Sequence, residues 1–165
     1  MKKLLMAIVA CALLIPVLAL AEGPVLLVEL PEDAQMIENV QFEDGDFIQT
    51  YQTGSGTVQL LRYGSFEMSL DLLTEGEWSG YTNMRQVELP GLSGQNAEGM
   101  RFLWEQVDES VDVTLVLVHA QGQELLFQAL YPTQVGQEAI DAAVQGMLNS
   151  LSLLTDAPQE EAEVG

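Results

Sequence analysis

The sequence predicts an α+β fold, a three-layer α/β/α sandwich with a mainly antiparallel central sheet, and three observations carry that expectation. Residues 113–119, Val-Thr-Leu-Val-Leu-Val-His, place Val113, Leu115, Leu117 and His119 on one strand face and Thr114, Val116 and Val118 on the other. Both faces are apolar, as in a central strand covered on both sides. Pro132 and Thr133 open a helix whose Val135, Ala139, Ile140, Ala143, Val144, Met147, Leu148 and Leu151 fall in one stripe, supplying one covering layer. Ser65 is the expected N-cap of a second helix running to Leu73, with Phe66, Leu70 and Leu73 at helical spacing and Gly76 as its stop. That helix supplies the other layer.

The remaining elements follow in order. Residues 25–29 form an extended apolar run stopped by Leu30-Pro31, since a proline biases the residue before it away from helix. Residues 40–42 and 47–51 flank Glu43-Asp44-Gly45-Asp46, where Asp-Gly is a strong hairpin signal. Gly54-Ser55-Gly56 turns the chain into a strand over 57–63. Residues 81–89 and 99–107 read as two further strands, separated by Pro90-Gly91 and the Gly94 region. Gln121-Gly122-Gln123 then turns residues 113–119 back into an antiparallel partner over 125–131. The long helix ends within 150–154, and no internal repeat of solenoid or propeller period is present.

The ends of the chain predict its destination. Lys2 and Lys3 precede an apolar stretch over 4–18, broken by Pro16, and Ala19-Leu20-Ala21 is a small-x-small site before Glu22. Residues 1–21 therefore read as an export signal, 22–154 as a single globular domain and 155–165 as an acidic disordered tail. The expected location is extracytoplasmic: secreted, periplasmic or in the cell envelope. A lesser alternative is a lipoprotein, because Ile8-Val9-Ala10-Cys11 fits a lipobox, although an apolar stretch follows Cys11 where a polar tether is expected. Retention as an anchor is opposed by Pro16 and by the small-residue cleavage site.

Cleavage removes both lysines and the single cysteine, leaving Arg62, Arg85 and Arg101 as the only fixed cations. The full chain already carries a formal charge of −20. So acidic a surface lacks the clustered cations that bind nucleic acid or anionic membranes, and leaves a protein or other cationic or neutral partner. Self-repulsion favours a monomer, and a cysteine-free domain must stand on apolar packing.

Several short phrases share a layout with a known group. They are Val28-Glu29-Leu30-Pro31, the run Val87-Glu88-Leu89-Pro90-Gly91-Leu92-Ser93-Gly94-Gln95-Asn96-Ala97, the Gln121-Gly122-Gln123 turn and the terminal Leu148-Asn149-Ser150-Leu151. Over residues 25–153 the chain resembles PsbP-like and DcrB-like exported domains. The resemblance implies an α/β/α sandwich in a lipoprotein or secreted accessory protein, with no shared catalytic motif. PsbP-like proteins assist a membrane complex and contact metal through individual side chains, but no position here matches those. The absence of lysine from the mature chain is a departure from lysine-rich relatives.

Candidate chemistry is sparse. Zinc needs Cys or His ligands, and the mature chain offers only His119, so no metal or other cofactor is expected. Glu43, Asp44 and Asp46 form the best local oxygen cluster for calcium but lack EF-hand spacing, and read as a solvated hairpin tip. Neither Gly54-Ser55-Gly56-Thr57 nor Gly91-Leu92-Ser93-Gly94 matches a nucleophile elbow. His119 is the single available imidazole base and, ending an apolar strand, reads as a core or edge histidine satisfied by the backbone. The binding candidates are Arg62, Arg85 and Arg101, two of which would make an anion site by converging on one sheet face, or else pair with neighbouring acids. Trp78 and Trp104, with Tyr81, would line an apolar groove or pack in the core. The expected function is a non-catalytic exported binding or accessory module; the competing reading is a hydrolase or other enzyme using carboxylates or His119.

Overall fold

The computed structural model describes residues 23–64, 70 and 80–155. The export segment with Cys11, the expected helix over 65–73 apart from Leu70, Trp78 and the chain beyond 155 lie outside the described residues. The strands are β1 (Val25–Leu27), β2 (Gln35–Gln41), β3 (Phe47–Gln52), β4 (Thr57–Tyr63), β5 (Tyr81–Gln86), β6 (Asn96–Glu105), β7 (Ser110–Ala120), β8 (Gln123–Pro132) and β9 (Ser152–Leu154). The helix α1 is Gln137–Ser150. Among the described residues a seven-stranded antiparallel sheet runs in the order β2-β3-β4-β8-β7-β6-β5, and β1 pairs with β9 in a separate two-stranded ribbon.

The fold is therefore mainly β, and the expected three-layer α/β/α sandwich is corrected. Among the described residues one α-helix covers one face of a large antiparallel sheet. The double apolar pattern of β7 did indicate burial on both sides: Val113, Val116, Leu117 and Val118 are all buried. What it could not indicate is the nature of the cover. On the helix face, Ile140, Val144, Met147 and Leu148 of α1 pack with Val58, Val116, Val118, Leu125, Phe127 and Ala129. Each of these side chains larger than alanine contributes about 1.5–3 kcal/mol on leaving water. On the other face Met100, Phe102, Val111, Val113 and Leu117 cluster with Leu70 and with strand neighbours such as Tyr81 and Leu130. Apolar patterning reports that water is excluded; it does not report whether a helix excludes it.

Turn chemistry sets the register. Phe42 donates its N–H to Asp46 O at 2.9 Å and Gly45 donates to Phe42 O at 3.1 Å, with Gly45 at φ +88°, which is the three-residue hairpin loop that needs a left-handed residue at its end. Strand β2 begins at Gln35, before the apolar stretch that announced it, because a polar edge strand carries little alternation. The β7–β8 hairpin closes through Gln121 and Gly122, both at positive φ, as a two-residue turn that follows sheet twist requires. After α1 the chain straightens at Leu151 into β9, a strand with too short an apolar run to separate from the helix in the sequence. A short 3-10 turn over Pro90–Leu92 buries Leu92 against this corner, and a Cβ on Gly91 would overlap the Leu151 carbonyl.

Candidate functional site

Two of the three arginines do converge. Arg85 on β5 and Arg101 on β6 are cross-strand partners, and directly opposed residues share a sheet face. Arg101 is buried and donates from Nε to Asp112 Oδ1 and from Nη2 to Asp112 Oδ2, both at 2.7 Å, while Nη2 lies 2.6 Å from Asp141 Oδ1. Asp112 sits on neighbouring β7 and Asp141 on α1, so one guanidinium ties helix to sheet. Gln137 completes the knot, donating to Asp141 Oδ1 at 2.8 Å. Burial opposes the Arg101 charge, but hydrogen bonding and attraction from Asp112, then Asp141, outweigh it and raise the Arg101 pKa. The Asp141 carboxyl is held below its ordinary range by the Gln137 hydrogen bond first, then by Arg101 and the charge of Arg85, against the effect of burial. Arg101 is thus spent on internal carboxylates, leaving Arg85 as the exposed member of the pair.

Arg62 is satisfied differently. It lies on β4 at 2% exposure. Its Nε donates to Gly45 O at 2.9 Å, its Nη2 donates to the same oxygen and its Nη1 donates to Pro24 O at 3.3 Å. Its guanidinium also stands 5.1 Å from the Phe47 ring centroid. Among the described residues no carboxylate lies within ion-pair distance of it. Two strands, β8 and β7, separate it from Arg101, so it belongs to no common site with the other arginines. Trp104, three residues beyond Arg101 on β6, takes the opposite face, edge-on to Tyr81 at 6.2 Å between ring centroids. The predicted binding residues do not form one cluster.

His119 faces Glu124 across the β7–β8 hairpin, with Nδ1 3.5 Å from Oε1; the carboxylate is buried and the imidazole is partly exposed. The Gly54-Ser55-Gly56 loop presents no oxyanion cradle, because its amides are already used. Gly54 N–H bonds Asp33 Oδ2 at 2.7 Å, and Ser55 and Gly56 donate to Thr53 Oγ1. Beside this loop a cavity of about 590 Å³ is lined by Gln52, Thr57, Val111, Leu130, Pro132 and Val135 among others, all uncharged. Among the described residues no group of three His, Cys, Asp or Glu is placed to hold a metal ion.

Two features escaped the sequence reading. Asp112, buried at 2% exposure, is the principal counter-ion of Arg101, and its signal was a carboxylate inside an apolar strand run. The other is the outer edge of β2, where Met36 and Ile37 are exposed, with Phe42 exposed just beyond its end. Too few apolar residues alternate there to mark a strand.

No family model matches the chain, and no curated protein matches it. Among solved structures, LpqN of Mycobacterium tuberculosis, described as involved in cell envelope biogenesis, is similar at a TM-score of 0.46 and 12% identity, covering 80% of this chain and 84% of that one. Likeness at that level carries no argument about this chain.

Proposed function

We propose that this chain is a non-catalytic exported binding or accessory module of the cell envelope or extracellular space, in the manner of the PsbP-like and DcrB-like domains its phrases resemble. One observation carries the reading: the side chains best equipped for chemistry serve as internal ties, while exposed apolar side chains gather at a sheet edge. Arg101 holds α1 to the sheet, Arg62 holds the β2–β3 turn, and His119 is matched to Glu124. The extracytoplasmic setting rests on the export signal in the sequence. Among the described residues no helix is long and apolar enough to cross a membrane.

A photo-crosslinking residue at Ile37 in the exported protein, made in its own cells, tests the reading. A discrete adduct with another envelope or secreted component is expected. Hydrolysis of ester, peptide or glycoside substrates that disappears in both His119→Ala and Glu124→Gln, with melting unchanged, would establish the enzyme instead.

A further inference from the structure

We propose that the outer edge of β2 accepts an extended, cation-flanked segment of a partner protein as an eighth strand of the sheet, an inference that rests on the binding-module reading. Among the described residues, sheet order leaves β2 with β3 on one side and no strand on the other. The Phe42 N–H to Asp46 O bond fixes the alternation, so that Glu38 and Val40 bond inward to β3 while Asn39 and Gln41 direct their backbone groups outward. Outward-directed N–H and C=O groups at a sheet edge are a template for another strand.

The two edges of the sheet differ in how far they are protected. At β5 the register breaks between Thr82 and Arg85, and Asn83 sits at φ +55°, which interrupts the strand at its middle. At β2 the single irregularity lies between Met36 and Glu38, leaving four consecutive residues, Glu38 to Gln41, in regular register. Ile37, which falls in that irregularity, is 62% exposed beside Met36 at 44%, giving an incoming strand apolar side chains to cover.

Charge selects the occupant. Glu32 and Asp33 lie exposed before β2, Glu38 lies within it and Glu43 and Asp44 lie exposed beyond it. No Lys or Arg occurs between residues 4 and 61. A second copy of this chain would set these acids against their own kind, whereas a strand with basic residues at both ends and an apolar middle complements them.

The probes are synthetic peptides of seven alternating valines and threonines, flanked either by lysine pairs or by glutamate pairs, added to the full mature protein. Amide chemical shifts over Gln35–Gln41 should move with the lysine-flanked peptide alone. Methylating every second backbone nitrogen of that peptide should abolish binding in one phase and spare it in the other, since only alternate residues face the edge. The double variant Glu32→Lys/Glu43→Lys should bind it about tenfold more weakly. Salt high enough to cut the screening length to ~3 Å should weaken wild-type binding as well. Equal binding of both peptides, tolerance of methylation in both phases, shifts centred on β5 or beside the Gly54 loop, self-association through β2, or no binding at all would each overturn the assignment. A partner captured by a crosslinking residue at Val107, exposed beyond β6, and not by the one at Ile37 would keep the module reading while this edge failed.

Discussion

Arg62 and Arg101 occupy the same face of the same sheet, both almost wholly buried, yet the protein satisfies them by different means. Arg101 faces two carboxylates from two elements, and its neutralisation depends on formal charges. Arg62 faces two carbonyl oxygens and an aromatic ring, and its neutralisation depends on dipoles and a quadrupole. The difference teaches where each tie is vulnerable. Removing one partner of a carboxylate pair strands a buried charge, whereas among the described residues removing Arg62 strands carbonyls that water or small shifts can serve.

Breaking the Arg101 pair should give the largest effect. Asp112→Ala leaves the buried guanidinium with the half-exposed Asp141, and Arg101→Met leaves Asp112 buried and unpaired, so each should cost about 3–5 kcal/mol in denaturant unfolding. The double variant Arg101→Met/Asp112→Leu should recover most of that loss, because replacing both charges by apolar volume is often neutral. Single variants that melt like the parent would show that the pair is hydrated.

Arg62→Met should cost less, about 1–3 kcal/mol, through lost charge-assisted hydrogen bonds. Its effect should be local. Hydrogen exchange should accelerate in the β2–β3 turn around Gly45 while α1 stays protected. Uniform acceleration across the domain would mean that Arg62 supports the core rather than the turn.

Two glycines give a second contrast, one at a close approach and one in open space. Gly91→Ala places a methyl group against the Leu151 carbonyl where α1 passes into β9, whereas Gly94 has open space around its Cβ position and a φ of +80°. Gly91→Ala should therefore destabilise by roughly 1–3 kcal/mol, the range for forced overpacking. Gly94→Asn should be nearly silent, since asparagine tolerates the left-handed region. Thermal melts of the two variants give the contrast.

Legibility in the sequence followed the same division between pattern and partner. The β3, β4, β7 and β8 strands were readable because apolar residues and Gly-containing turns bound them, and the Gly45 and Gly122 turns fell where expected. Edge strand β2 was half missed because Gln35, Glu38 and Asn39 carry no apolar alternation, and β9 was missed because three residues after a helix have no period of their own. The three-layer expectation failed because the residues of β7 record burial, not the identity of the neighbour. At the candidate site, the sequence placed each arginine in a strand, but which two share a face depends on the register of β5 on β6, which shifts between Thr82 and Arg85. That Asp112 and Asp141 would already occupy Arg101 could not be anticipated, since Asp141 meets it only through the docking of α1.

The smallest expected effect tests whether that docking is electrostatic. Asp141 is half exposed, so its attraction to Arg101 is screened and worth at most about 1 kcal/mol. Its carboxyl is depressed below the unfolded value by Gln137, Arg101 and Arg85, so the stabilisation is complete above the unfolded pKa and disappears as pH falls through the folded one. The stability gap between wild type and Asp141→Asn should therefore be constant near neutrality and close on acidification below the ordinary carboxylate range. The gap between wild type and Arg62→Met should stay level over the same interval, because carbonyl oxygens do not titrate there. Urea unfolding of the three proteins as a function of pH distinguishes the two kinds of tie: a gap that closes for Arg62→Met as it does for Asp141→Asn would mean that a carboxylate also holds Arg62, and the contrast between charge and dipole would fail.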